Sequence, residues 1–145
     1  MEVGKTTFIR KLRNMETDVN TTLGLDFHMI DYSHDSGKVL IQIWDTSGNK
    51  NYYSLYKNCL LKADGIIIMY SLKPEESSTV GDLKYWLAYV NGVFDSHEIP
   101  PIMLLGNKVE FIENYEKINM INCDLRSIIG DSIDSLESKY LVGGG

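Results

Sequence analysis

Apolar and polar positions follow two different rhythms along this chain. After Thr6, Phe8, Ile9 and Leu12 alternate with Arg10, Lys11 and Arg13, which predicts a short helix whose basic end suits the dipole at a helix C-terminus. A polar loop through Asp18 and Asn20 follows. Residues 27–32 and 39–44 are β-rich runs separated by Ser33-His34-Asp35-Ser36-Gly37, which predicts an antiparallel hairpin. Residues 66–70, and 102–105 after Pro100-Pro101, are near-continuous apolar runs of the kind found in strands buried on both faces. Between them Val80, Leu83, Leu87, Val90 and Phe94 recur at helical spacing and leave Lys84 and Asn91 outward. Residues 118–129 read equally well as a helix or as a strand followed by a helix. Strands alternating with helical segments predict an α/β fold with a mostly parallel sheet, crossover helices and one antiparallel hairpin.

Length and charge narrow the classes this pattern could serve. At 145 residues with 43% hydrophobic content, the chain is expected to form a single domain, residues 1–145, with a disordered Gly143-Gly144-Gly145 tail. A formal charge of -6 argues against a nucleic-acid binder, which needs a basic face to displace condensed counterions. The apolar runs are too short to span a bilayer and no secretory signal opens the chain, so a cytoplasmic protein is expected. Cys59 and Cys123 have neither zinc-site nor disulfide-framework spacing, and are expected as small buried hydrophobes. His28, His34 and His97 also lack ligand spacing.

Three polar signatures sit on this frame. Lys5-Thr6 opens the first helix, Asp45-Thr46-Ser47-Gly48 follows the strand ending at Trp44, and Gly106-Asn107-Lys108 follows the strand ending at Leu105. All three are thereby expected on the sheet edge where open α/β folds bind ligands. Gly4-Lys5-Thr6 supplies the last three positions of G-x-x-x-x-G-K-[ST], a loop that grips phosphates. The N–H groups of Gly4, Lys5, Thr6 and Thr7 at a helix start would face an anion, and Lys5 adds a full positive charge. The Thr6 hydroxyl and the Asp45 carboxylate suit Mg²⁺, and Gly48 lets its N–H approach a γ-phosphate because no Cβ intervenes. Singly, each signature is also ordinary turn or loop chemistry. Together and in this order they point to a nucleoside triphosphate site.

These motifs resemble a Ras-type small GTPase of the Rab branch. Thr21-Thr22-Leu23-Gly24-Leu25-Asp26-Phe27 is similar to the first switch, Trp44-Asp45-Thr46-Ser47-Gly48-Asn49 to W-D-T-A-G-Q, and Leu105-Gly106-Asn107-Lys108-Val109-Glu110 to the guanine loop G-N-K-x-D. The resemblance covers residues 4–110 and implies a P-loop three-layer fold. It also implies a Mg²⁺-dependent GTP/GDP switch of the kind that serves vesicle trafficking. In that switch Thr22 adds a hydroxyl to the metal when the γ-phosphate is present, and Asn107, Lys108 and Glu110 contact the guanine.

The departures from the family pattern carry expectations of their own. The first strand, the first half of the phosphate loop and all or part of the last helix have no counterpart. Glu137-Ser138-Lys139 is a poor match to the second guanine-supporting loop. Asn49 is one methylene shorter than the family glutamine that orients the attacking water, so hydrolysis should be slow. Glu110 replaces an aspartate; the longer carboxylate can still accept the hydrogen bonds of the guanine edge but must be repositioned, so relaxed base selectivity is expected. Arg10 and Arg13 belong to the first helix, which leaves no arginine finger in cis. Phe27 and Trp44 match two of three aromatic positions that Rab proteins offer to effectors. The third falls at Cys59, and Tyr52, Tyr53 and Tyr56 of segment 52–56 could replace its contact area. No lipid anchor is expected, so membrane association is expected only through partners. The other readings are a nucleotide-free pseudo-GTPase that engages Rab partners and, more distantly, a P-loop ATPase or kinase.

Overall fold

A computed structural model of the chain describes residues 3–12, 24–76, 78–95 and 98–108. Arg13, the loop through Asp18 and Asn20, Thr22, His97, Glu110, Cys123, residues 118–129, Glu137-Ser138-Lys139 and the glycine tail lie outside the described residues. The chain divides into two compact units, Met1–Cys59 and Leu60–Gly145.

The first unit opens with helix α1, Lys5–Leu12, which buries Ile9 and carries Arg10 and Lys11 in its last turn. Strands β1, Leu25–His34, and β2, Gly37–Thr46, then pair antiparallel over their full length, from Leu25↔Thr46 to His34↔Gly37. The hairpin is longer at both ends than the pattern of apolar residues indicated. At the tip, Gly37 takes a φ of 136°, which only glycine adopts readily, so pairing continues through Ser33 and His34 and the turn shrinks to Asp35-Ser36. At the open end Leu25 and Asp26 pair with Thr46 and Asp45, which places Asp45 inside the strand and not after it. A one-turn 3₁₀ helix, Lys50–Tyr52, leads into α2, Tyr53–Leu60.

The second unit is a parallel pair with its crossover helix. Strands β3, Ile66–Ser71, and β4, Ile102–Asn107, run in register from Ile66↔Ile102 to Ser71↔Asn107, joined through α3, Ser78–Val93. Ile66, Ile68, Tyr70 and Leu72 pack with Leu83, Leu87, Val90, Phe94 and Leu104 in one buried cluster. Leu83, Leu87 and Val90, at the expected helical spacing, form the buried face of α3, and Phe94 is buried just past its end; nothing is described of the Val80 side chain. Lys84 is exposed, but Asn91 is half-buried, not fully outward. Expected burial of β3 on both faces fails at Ile67, which is 53% exposed. The core cluster covers the face of Ile66, Ile68 and Tyr70, and alternation of side chains turns Ile67 the other way. Strand β4 also extends past Leu105. Gly106 and Asn107 pair with Tyr70 and Ser71, and Leu72 N–H continues the ladder by donating to the Asn107 carbonyl at 2.8 Å.

The architecture is therefore mixed α/β, with a parallel pair and an antiparallel hairpin. Among the described residues the strands form two two-stranded sheets.

Candidate functional site

In the first unit, four of the expected residues meet at the start of α1. Gly4 turns the chain with a φ of 90°, and its carbonyl accepts the first helical bond from Phe8 N–H at 2.9 Å. The first helical turn, with Lys5, Thr6 and Thr7, thereby presents its N–H groups along the axis. The Thr6 hydroxyl donates to Asp45 Oδ2 at 2.5 Å, and Asp45 is 2% exposed. Gly48, with a φ of 73°, lies against Lys5: a Cβ there would stand 3.1 Å from Lys5 Nζ. Burial pushes the Lys5 ammonium below its ordinary pKa, and the Asp45 charge partly opposes that shift. The result is a cation, a hydroxyl and a carboxylate gathered beside a glycine and a helix start.

The loop after Asp45 is held by hydrogen bonds that the sequence did not reveal. Ser47 Oγ and the Tyr56 hydroxyl are bonded at 2.7 Å, and the Tyr56 hydroxyl also donates to the Asn49 carbonyl at 3.3 Å. Asn49 Oδ1 accepts from Asn51 N–H at 3.0 Å and caps the 3₁₀ helix. The amide expected to orient water is thus engaged by the backbone two residues on. The available signal was Ser47, which stands where W-D-T-A-G-Q has alanine.

Burial corrects part of the expected partner surface. Phe27 and Trp44 face each other across the hairpin with ring centroids 4.7 Å apart, and are 40% and 50% exposed. Tyr52 is exposed and Tyr53 is half-buried, but Tyr56 is 2% exposed. Its ring can be buried because its hydroxyl keeps polar partners. Cys59, expected to be buried, is only half-buried.

The second unit holds the Asn107-Lys108 pair. Asn107 ends β4, and Lys108 follows in the left-handed region with a φ of 66°. Lys108 Nζ donates to both Glu76 oxygens, at 2.8 and 2.7 Å. That bond, followed by one from the Ser71 hydroxyl, holds the Glu76 carboxyl below its ordinary pKa. Glu76 lies 32 residues from Lys108 with no spacing to mark it, and the sequence reading missed it. Thr22 and Glu110, also expected at the site, lie outside the described residues.

Comparison with known proteins matches residues 1–126 to the Ras family. The chain is 34% identical over 127 residues to a mouse "Ras and EF-hand domain-containing protein homolog", covering 85% of this chain and 20% of that protein. It is 36% identical over 115 residues to mouse "Ras-related protein Rab-44", covering 74% of this chain and 11% of that one. Human "EF-hand calcium-binding domain-containing protein 4B" is 32% identical over 110 residues, which cover 74% of this chain and 14% of the relative. The chain thus spans a fifth or less of the length of these relatives.

Proposed function

The chain belongs to the Ras family, and on that premise we propose that it is a Rab-like GTP-binding protein that switches between GTP- and GDP-bound states and hydrolyses GTP slowly. One observation carries this reading: the Lys5 ammonium beside Gly48, with the Thr6 hydroxyl on the buried Asp45 carboxylate. Lys5 would neutralise the terminal phosphates, and the N–H groups of Gly4, Lys5, Thr6 and Thr7 would bind their oxygens. Asn107, Lys108 and Glu110 would recognise the guanine.

The donor set fits Mg²⁺. Thr6 and Asp45 offer hard oxygens, and Thr22 would add a third. Mg²⁺ keeps several of its waters, so the remaining ligands would come from water and phosphate. Bound there, the ion supplies charge neutralisation at the phosphates.

Slow hydrolysis is supported by the short reach of Asn49 and by its bond to Asn51 N–H. Gly48 would offer its N–H to the γ-phosphate. Phe27 and Trp44, exposed as a tilted ring pair, would receive an effector or regulator. Among the described residues no helix is long and apolar enough to cross a membrane. Membrane association would come through such partners.

Heat denaturation of freshly purified protein tests the reading. Guanine nucleotide released near one equivalent supports it, whereas none released, with no binding of added GTP and Mg²⁺, overturns it. The second reading, an interaction module without nucleotide, is favoured by the same exposed aromatic pair and gains from that negative result. If the switch reading holds, Asn49→Gln should raise single-turnover hydrolysis. An unchanged rate would show that the shorter amide is not limiting.

A further inference from the structure

The turn after β3 and the loop after β4 are joined by a chain of polar contacts that no motif announces. Leu72 N–H bonds the Asn107 carbonyl, and Lys73 N–H donates to Ser71 Oγ at 3.2 Å. Ser71 in turn bonds the Glu76 carboxylate, and both Glu76 oxygens accept from Lys108 Nζ. The ion pair is partly open to water, so it contributes little to global stability. Its geometry is nevertheless specific. It fixes the far end of a side chain whose backbone holds a left-handed φ, a conformation that residues with a Cβ adopt only where surrounding contacts demand it.

We propose that Glu76 is a positioning residue for base recognition: by holding the Lys108 ammonium, it presents the lysine's hydrocarbon stem, not its charge, to the guanine. The role rests on the GTP-binding reading above and goes beyond it by assigning the second unit a residue outside the N-K-x-D pattern. A lysine restrained in this way favours a flat base and gives nothing to phosphate. Loss of Glu76 should therefore weaken the nucleoside part of binding alone.

The test uses the full chain with Glu76→Gln, Glu76→Ala and Glu76→Asp. The Kd for a fluorescent GDP is measured with Mg²⁺, together with the inhibition constant of inorganic pyrophosphate and the thermal midpoint. Glu76→Gln and Glu76→Ala are expected to weaken GDP binding about tenfold. Glu76→Asp should recover most of that loss, while pyrophosphate affinity and the midpoint stay at wild-type values. Equal weakening of GDP and pyrophosphate, or no recovery in Glu76→Asp, would overturn the assignment. Wild-type GDP affinity in Glu76→Gln removes Glu76 alone and leaves the switch reading standing. A wild-type protein that binds no guanine nucleotide removes the switch reading, and the role of Glu76 with it.

Discussion

The two compact units are held by different chemistry. In Leu60–Gly145 the described strands and α3 share one apolar cluster, and its residues recur at the spacing expected of a strand or helix face. In Met1–Cys59 the buried groups include Asp45, His28 and the tyrosine of an internal hydrogen bond, while Phe27, Met29, Leu40 and Trp44 remain exposed on one face of the hairpin. Apolar patterning therefore accounts for packing in the second unit. In the first, polar bonds set the loops, and much apolar surface stays open for contact.

The sharpest way to break this comparison is to remove packing from the second unit. Leu87 is buried in the core cluster, and Leu87→Ala should destabilise the protein by about 2–5 kcal/mol, read as a lower urea midpoint. A loss below about 1 kcal/mol would mean that the cluster relaxes around the cavity and that packing there is loose. Next in size is Gly106→Ala. A Cβ at Gly106 would lie 2.9 Å from the hydroxyl of the buried Tyr70 and 3.2 Å from Leu72 Cδ1, an overpacking expected to cost about 1–3 kcal/mol. Adding Tyr70→Phe removes the nearest atom, so the double variant should recover part of the loss. If it recovers none, the ring carbon Cζ, 3.0 Å away and kept by phenylalanine, and the Leu72 contact set the penalty.

The same contrast explains what could be read from sequence. Leu83, Leu87, Val90 and Phe94 announced the buried face of α3 because burial selects side chains one residue at a time, at a period set by the helix. Lys5, Thr6, Asp45 and Gly48, which the structure brings together, carry a different kind of signal, since a motif fixes residue type and order in place of a period. Strand ends were less legible. Asp45, Gly106 and Asn107 are polar or small and carry the signature of a loop, but backbone pairing continues through them regardless of side chain. Ser47–Tyr56 and Lys108–Glu76 were missed because a hydrogen bond between distant positions leaves no periodic trace.

If polar bonds do order the loop after β2, removing one should have a modest but local effect. Tyr56→Phe keeps the ring and deletes the bond to Ser47, at a cost of about 1 kcal/mol. Ser47→Ala leaves the Tyr56 hydroxyl its Asn49 carbonyl and should cost less. A double-mutant cycle measures their coupling, and strictly additive losses would show that the two side chains do not stabilise each other.

The smallest expected effect concerns Lys5, where the first unit buries a charge. Desolvation lowers its pKa from an ordinary 10.5, and attraction to Asp45 opposes the shift without cancelling it. Between the lowered value and 10.5 the unfolded chain binds more protons at this position than the folded one, so stability should rise with pH across that window. Below the lowered value the full penalty of holding a buried ammonium remains. Lys5→Met keeps most of the stem and lacks the charge. The stability of the nucleotide-stripped wild type minus that of Lys5→Met, from urea titrations at several alkaline pH values, should therefore climb as pH increases. A difference that falls instead would mean that Asp45 stabilises the ammonium more than burial disfavours it. The first unit would then contain a stabilising ion pair in place of a cation buried at some expense in stability.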